Sequence, residues 1–411
     1  MIYERVRHEV LRWSRLLLWT HSQIFLPDRQ ALHSLNHEIH ASSRRISTRE
    51  DVEKAPRSEA ETVVSETIAA NEAFLAQDAQ FRSSTWKFVR VKEGLHVYRQ
   101  RPTSSRTQDT RGKRLGTDTE EETQVSPSSK NECSIQDTMR RPSVSLMVLH
   151  GTVDGTLDDS MFGAFAASDE AWKWRSSHVN DRLDDARILS TIRGPTQNDP
   201  FRFLGIKWFT KEHPTVLTGI LQRRDFLIME ATGLTTDSKG ERIGYFLMHS
   251  VPIRGVPKLS ELGIVRGELS FCFILRQNGP SKVELYCRGF SDPHGEMMER
   301  LSVAIASEAL ICAAGVVDYA YVKKLTWLMK HKSAQKLGLS RGTRPNYCKS
   351  CNKILGKFTL LGKGCACQSC RRVICTRCSV VKKMTVDVSD TGTVKQVFIF
   401  QFAVSTLPQT R

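Results

Sequence analysis

The sequence has no long hydrophobic run. The longest, near Ala309–Val317, is about half a bilayer span and is flanked by Glu308 and Asp318, which argues against a transmembrane helix. No secretory signal is expected from this sequence either. The apolar stretch Leu16–Trp19 is short and sits behind Arg5, Arg7, Arg12 and Arg15, while Glu4 and Glu9 argue against a mitochondrial presequence. There is no evenly spread cysteine framework: of 11 cysteines, seven lie between Cys348 and Cys378, and Cys133, Cys272, Cys287 and Cys312 are scattered. An odd total with tight clustering excludes a secreted disulfide scaffold and points to metal binding in a reducing, intracellular compartment. No P-loop, dinucleotide fingerprint or nucleophile constellation is present, and His96, His150, His213 and His249 stand isolated, so no enzymatic chemistry is expected. Acidic residues are missing altogether from Arg341 to Lys383, a segment with 11 basic ones.

What is present suits a globular chain of two or three domains. The 411 residues are 40% hydrophobic and 25% charged, with a net charge of +16 that favours an anionic partner. Residues 1–58 read as a poorly ordered extension. Residues 59–80 have the Ala, Glu and Leu content of a helix. Trp86-Lys-Phe-Val-Arg and Gly94-Leu-His-Val-Tyr-Arg read as two strands joined by a tight turn. Residues 102–143 hold almost no large apolar side chain and are expected to be a disordered insertion.

Strands are expected again from Ser145, then at 186–192, 203–210, 225–232, 243–251, 266–275 and 282–290. In the last of these Val283, Leu285 and Cys287 alternate with Glu284, Tyr286 and Arg288. A long helix should run from about His294 to His331, with Met297, Leu301, Ile305, Ala309, Cys312, Val316 and Ala320 on one face. The class is α+β: a curved antiparallel sheet closed by a long C-terminal helix. Arg223-Arg224-Asp225 reads as a strand-end ion pair, and Asp292, His294 and Glu296 as the cap of the long helix.

The cysteine cluster carries the most chemistry. Cys348-x-x-Cys351, Cys367-x-x-Cys370 and Cys375-x-x-Cys378 are three knuckle-type pairs, and any two pairs make the four-sulfur donor set that zinc prefers. Spacing alone leaves the partner of the first pair open. With Cys365 the segment offers seven thiols, so one site can be complete and a second cannot be completed locally. Four thiolates around zinc carry a net charge of about −2, which leaves the basic module at about +9. Lys363, Arg371, Arg372, Lys382 and Lys383 are the candidate contacts to a membrane or other anion.

Two resemblances follow from these residues. The cysteine module, residues 341–404, resembles a FYVE-type zinc finger. In that family pairs cross, which implies that Cys348, Cys351, Cys375 and Cys378 form the complete site, with Cys367 and Cys370 in the second. The fourth pair would fall near Val397–Val404, where no cysteine stands. The family's Trp-x-x-Asp motif is replaced by Arg344-Pro-Asn-Tyr, and its basic histidine-containing run by Lys363-Gly-Cys-Ala-Cys367. The region 59–331 resembles a START-like lipid-binding domain of helix-grip fold. Trp86, Gly94-Leu-His-Val-Tyr-Arg99, Arg224-Asp225-Phe226, Val265-Arg266 and Asp292-Pro-His-Gly295 carry that resemblance.

Together the resemblances imply a non-enzymatic lipid- or membrane-binding adaptor with bound zinc, located in the cytoplasm or peripherally on endosome-type membranes. Its cavity would either hold an apolar ligand or be filled by side chains. The alternatives are a protein-interaction module, such as a RING-like ubiquitin-ligase finger, and a nucleic-acid-binding finger. The latter is disfavoured because only Tyr347 and Phe358 accompany the basic residues as stacking partners.

Overall fold

In the computed structural model the described residues are 51–102, 134–181, 183–211, 221–253, 256–334, 347–355, 365–389 and 392–401. The expected extension up to residue 50, the segment 103–133 and Lys363 lie outside them. The framework is a nine-stranded sheet: β1 (Trp86–Lys92), β2 (Leu95–Gln100), β3 (Met147–Asp154), β4 (Leu183–Arg193), β5 (Phe203–Lys211), β6 (Arg224–Thr236), β7 (Arg242–Ser250), β8 (Val265–Asn278) and β9 (Lys282–Asp292). Their spatial order is β1-β2-β3-β9-β8-β7-β6-β5-β4. Neighbours along that order are antiparallel. Beyond the end of β7, Arg224–Phe226 of β6 pairs directly with Val265–Gly267 of β8 in parallel, so the sheet curls on itself at that edge.

Strand periodicity sends alternate residues to two buried faces. Along β6, Phe226 and Ile228 belong to one apolar cluster, and Leu227, Met229 and Ala231 to the other. Along β8, Phe271, Phe273 and Leu275 oppose Cys272 and Ile274 in the same way. The second face is covered by α1 (Asp51–Leu75), whose Ala60, Val63, Val64, Thr67 and Asn71 recur at helical spacing and are buried. The helix therefore starts eight residues earlier than the expected boundary at residue 59 and belongs to the core.

The first face is closed by the C-terminal helix, as the helix-grip resemblance implied. It consists of α5 (Glu299–Ile311), a 3₁₀ turn Cys312–Gly315 and α6 (Val316–Ala334). The core stripe is Ala306, Leu310, Ile311, Ala314 and Val317, while Ile305 and Ala309 are only half-buried. Cys312 and Ala320 of the expected face are buried, but within α5 the core stripe is rotated by about one residue, because alanines on both sides make two apolar stripes of similar quality. By length and composition Glu299–Lys330 could cross a membrane, but Ala306, Leu310, Ile311, Ala314 and Val317 of this span pack here in the sheet's core. Two more helices complete the concave side, α3 (Leu157–Ala164) and α4 (Asp169–Val179). Gly163 lets α3 meet α6 closely, since a Cβ there would lie 1.8 Å from the Val316 carbonyl oxygen.

Part of the expected insertion is ordered. Ser134 caps a short helix α2 (Ile135–Met139). Buried Gln136 donates to Ser270 Oγ (3.1 Å) and the Arg288 carbonyl (3.3 Å), and Arg288 reaches Asp137 at 2.7 Å. Polar groups satisfied by hydrogen bonds hold this segment, so a count of large apolar residues could not reveal it. The N-terminal cap role expected of Asp292 is also corrected: it takes the Arg141 guanidinium and the His294 N–H (3.0 Å), and α5 starts later with no side-chain cap. Asp225 does act in a strand-end ion pair. It accepts from Arg266 and from the Trp208 indole at 2.8 Å.

Candidate metal centre

The cysteine module is built from two knuckles and a hairpin. At Cys348, the Cys348 N–H meets the Lys353 carbonyl (2.8 Å) and the Asn352 N–H returns to the Cys348 carbonyl (2.8 Å), with Asn352 left-handed at φ 57°. The second knuckle repeats the geometry: Cys367 N–H to Arg372 carbonyl (3.0 Å), Arg371 N–H to Cys367 carbonyl (2.7 Å), and Arg371 at φ 59°. This second knuckle is the loop of a small pair of strands, β10 (Cys365–Ala366) and β11 (Val373–Ile374). Cys375 and Cys378 flank a 3₁₀ turn, and Cys378 leads directly into the hairpin of β12 (Ser379–Ser389) and β13 (Gly392–Gln401).

The four sulfurs of Cys348, Cys351, Cys375 and Cys378 all lie within 4.8 Å of one another. Four sulfurs tetrahedrally placed around zinc are about 3.8 Å apart, and Cys351 and Cys375 stand at 3.7 Å. Of the two pairings that spacing allowed, the structure brings together the first and third pairs. Burial works against ionisation of Cys348, but N–H groups of Cys375, Cys351 and Ser350 aim at its sulfur and pull the thiol down to about 6. Cys378 goes the other way, to about 12. Ser350 favours its thiolate, but contacts with Cys351, Cys375 and Cys348, together with burial, outweigh it. The quartet fits a soft divalent cation, which alone would let all four thiolates coexist.

Cys367 and Cys370 are not part of that quartet. Where the resemblance places a fourth pair, β13 carries Phe398, Ile399 and Phe400, which share an apolar cluster with Cys367 and Cys370. Cys365 turns its thiol to the Ile374 carbonyl at 3.7 Å. Packing of aromatic side chains thus stands where a second site would need ligands.

Among the expected anion contacts, Arg371, Arg372 and Lys383 are exposed. Lys382 is not available in the same way: it is partly buried and forms an ion pair with Asp318 of α6.

Sequence reasoning missed a charged cluster inside the grip. Lys207 of β5 and Glu230 of β6 are both fully buried, 2.6 Å apart, and Arg175 of α4 holds the second oxygen of Glu230 at 3.0 Å. Lys207 also donates to the Ala166 carbonyl (2.9 Å) and sits 4.6 Å from the Trp172 ring centroid. Burial drives Lys207 down to about 8, against the pull of Glu230 and with Arg175 adding repulsion. Burial disfavours the Glu230 carboxylate, but the two cations still hold it below its ordinary range. A lysine between Ile206 and Trp208, and a glutamate between Met229 and Ala231, were the available signals.

No protein-family model and no curated protein matches the sequence. Solved structures do. Human StAR-related lipid transfer protein 5 is 13% identical over 64% of this chain and 99% of its own, with a TM-score of 0.38. A STAR-related lipid transfer protein fragment from Xanthomonas axonopodis is 11% identical over 57% of this chain and 98% of its own, with a TM-score of 0.35. The lipid transfer and protein localization domain of human StarD13 is 10% identical over 62% of this chain and 95% of its own, at a TM-score of 0.35.

Proposed function

We propose that this chain is a non-enzymatic lipid- and membrane-binding adaptor. Its helix-grip domain would bind an apolar ligand, and a degenerate FYVE-type finger with one zinc ion would attract it to anionic intracellular membranes. The observation that carries this reading is the module itself. Four converging thiols belong to a segment, Arg341 to Lys383, whose sequence has 11 basic residues and no carboxylate. Near an anionic surface each Lys or Arg contributes about 1 kcal/mol, so several exposed ones localise a protein without reading a particular head group. The FYVE-type head-group motifs are replaced in this sequence, which makes selectivity for phosphatidylinositol 3-phosphate unexpected.

The test uses the full chain with zinc loaded. Sedimentation is measured with vesicles matched in total charge, with and without phosphatidylinositol 3-phosphate, across a salt series. Equal binding to both that falls steeply with salt is the expected result, since the Debye length is about 8 Å at physiological ionic strength. No binding to either vesicle at low salt, or tighter binding to nucleic acid of equal charge, would overturn the reading.

A further inference from the structure

The β12–β13 hairpin has two unlike faces. One exposes Val381, Lys383 and Val397. The other buries Met384 and Phe400 in one apolar cluster with Val179 of α4 and Tyr319, Val322 and Leu325 of α6. Cys348 and Cys367 are buried in the same cluster, with Cys375 and Cys378 at its edge. Polar groups fix the contact. Lys382 pairs with Asp318, Ser177 Oγ lies 2.9 Å from Thr385 Oγ1, and the Thr385 N–H reaches His178 Nε2 at 3.4 Å. His178 turns Nδ1 to the Trp174 carbonyl at 2.9 Å, which leaves Nε2 as the acceptor, and its ring lies 4.8 Å from that of Tyr319.

The inner sides of the same two helices close the grip. Trp172 and Arg175 of α4 face Lys207 and Glu230 of the sheet, and Val317 of α6 is in the main core. The helices therefore lie between the sheet and the cysteine module. That module is small, and among the described residues its segments are joined by few backbone hydrogen bonds, such as Lys349 N–H to the Val373 carbonyl and Gln368 N–H to the Ile399 carbonyl, both 2.9 Å. A bound metal supplies much of the folding free energy of such a unit. Cys378 is followed at once by β12, so a ligand of the metal is also the root of the strand that holds the helices.

We propose that the four-cysteine centre is a metal-dependent clamp on α4 and α6. With metal bound, the hairpin is held against both helices and the grip stays closed. With metal lost, the hairpin lets go, and the helices gain the freedom through which an apolar ligand enters or leaves. The proposal rests on the metal-binding part of the reading above and not on the identity of any lipid. Coupling of this kind is reciprocal: anything that loosens the hairpin from the helices also weakens metal retention.

The test is hydrogen–deuterium exchange on the full chain, with native mass spectrometry reporting zinc. Chelation is expected to speed exchange in Asp169–Val179 and Val316–Leu325 by at least about tenfold, with β8 and β9 unchanged. Met384→Glu keeps every ligand but puts a charge into the packed face. It should reproduce the faster helix exchange with zinc still bound, or lose zinc through the same coupling. Chelation that affects only residues 347–401 would overturn the clamp. So would a zinc-loaded Met384→Glu chain whose helices stay protected. A chain that takes up no zinc at all would instead refute the metal reading beneath it.

Discussion

At the scale of single residues, two lysines, Lys207 fully buried and Lys323 partly buried, set how the fold responds to pH. Burial drives Lys207 down to about 8 and Lys323 down to about 7, from an ordinary value near 10.5. Lys323 spends its protons on the Phe162 and Phe165 carbonyls at 2.7 and 2.9 Å, at the end of α3. Below those values both lysines are charged, folded or not, and the burial cost is fully present. As pH rises through them, the unfolded chain binds more protons than the folded one, so stability increases. Above about 9 the buried thiols of Cys272 and Cys312, pushed up to about 12, keep protons that the unfolded chain releases and offset this gain, and above about 10.5, where the unfolded lysines have lost their protons too, the sign reverses. With zinc saturating, the urea midpoint should rise from pH 7 to 9, level off, and fall only above about 10.5. Each lysine can add up to about 1.4 kcal/mol per pH unit. Lys323→Met should lower the slope between pH 7 and 9 relative to the parent. Equal slopes for the two proteins would mean that Lys323 titrates as a solvated lysine.

At the scale of elements, the crossing of α3 and α6 is the tightest constraint. A methyl at position 163 would meet the Val316 carbonyl oxygen at 1.8 Å and its carbon at 2.7 Å, with backbone on the receiving side. Gly163→Ala should cost at least about 1–3 kcal/mol, the usual range for overpacking, and urea denaturation measures it. No loss would show that the helices slide apart freely. The segment before β3 gives a second prediction. Removing residues 103–133 should leave cooperative unfolding intact. Removing 103–143 should destabilise the chain, because Gln136, Asp137 and Arg141 are lost together with their bonds to Ser270, Arg288 and Asp292. Equal stability of the two deletions would show that these bonds are neutral. Strands were readable because their residues alternate or run apolar between polar turns: β9 is found where Val283, Leu285 and Cys287 placed it. Helix α2 was not readable, since its buried residue is a glutamine. The face of α5 was misjudged because Ala306 and Ala309 look alike in sequence although only Ala306 is buried.

At the scale of the whole molecule, sequence and structure divide the information differently. Cysteine spacing marked the candidate metal site from the start, because thiol pairs separated by two residues have few other uses in a basic chain. Spacing could not choose between pairings, and it could not show that the module sits on the grip helices. Met384, Phe400 and Tyr319 join there although they lie far apart in sequence, and each reads alone as an ordinary core residue. The pairing leads to the last prediction. One zinc ion per chain is expected, held by Cys348, Cys351, Cys375 and Cys378. Cys375→Ser removes a ligand from a set whose sulfurs all lie within 4.8 Å, so zinc should be lost on native mass spectrometry. Cys367→Ser should keep zinc, because Cys367 stands outside the set. It should still weaken the fold, since Cys367 is fully buried beside Phe400 and a hydroxyl there lacks the thiol's apolar fit. Zinc surviving Cys375→Ser but lost with Cys367→Ser would mean that sequential pairs bind the metal, and two tightly held zinc ions per chain would mean that Cys367 and Cys370 find ligands beyond the three local pairs.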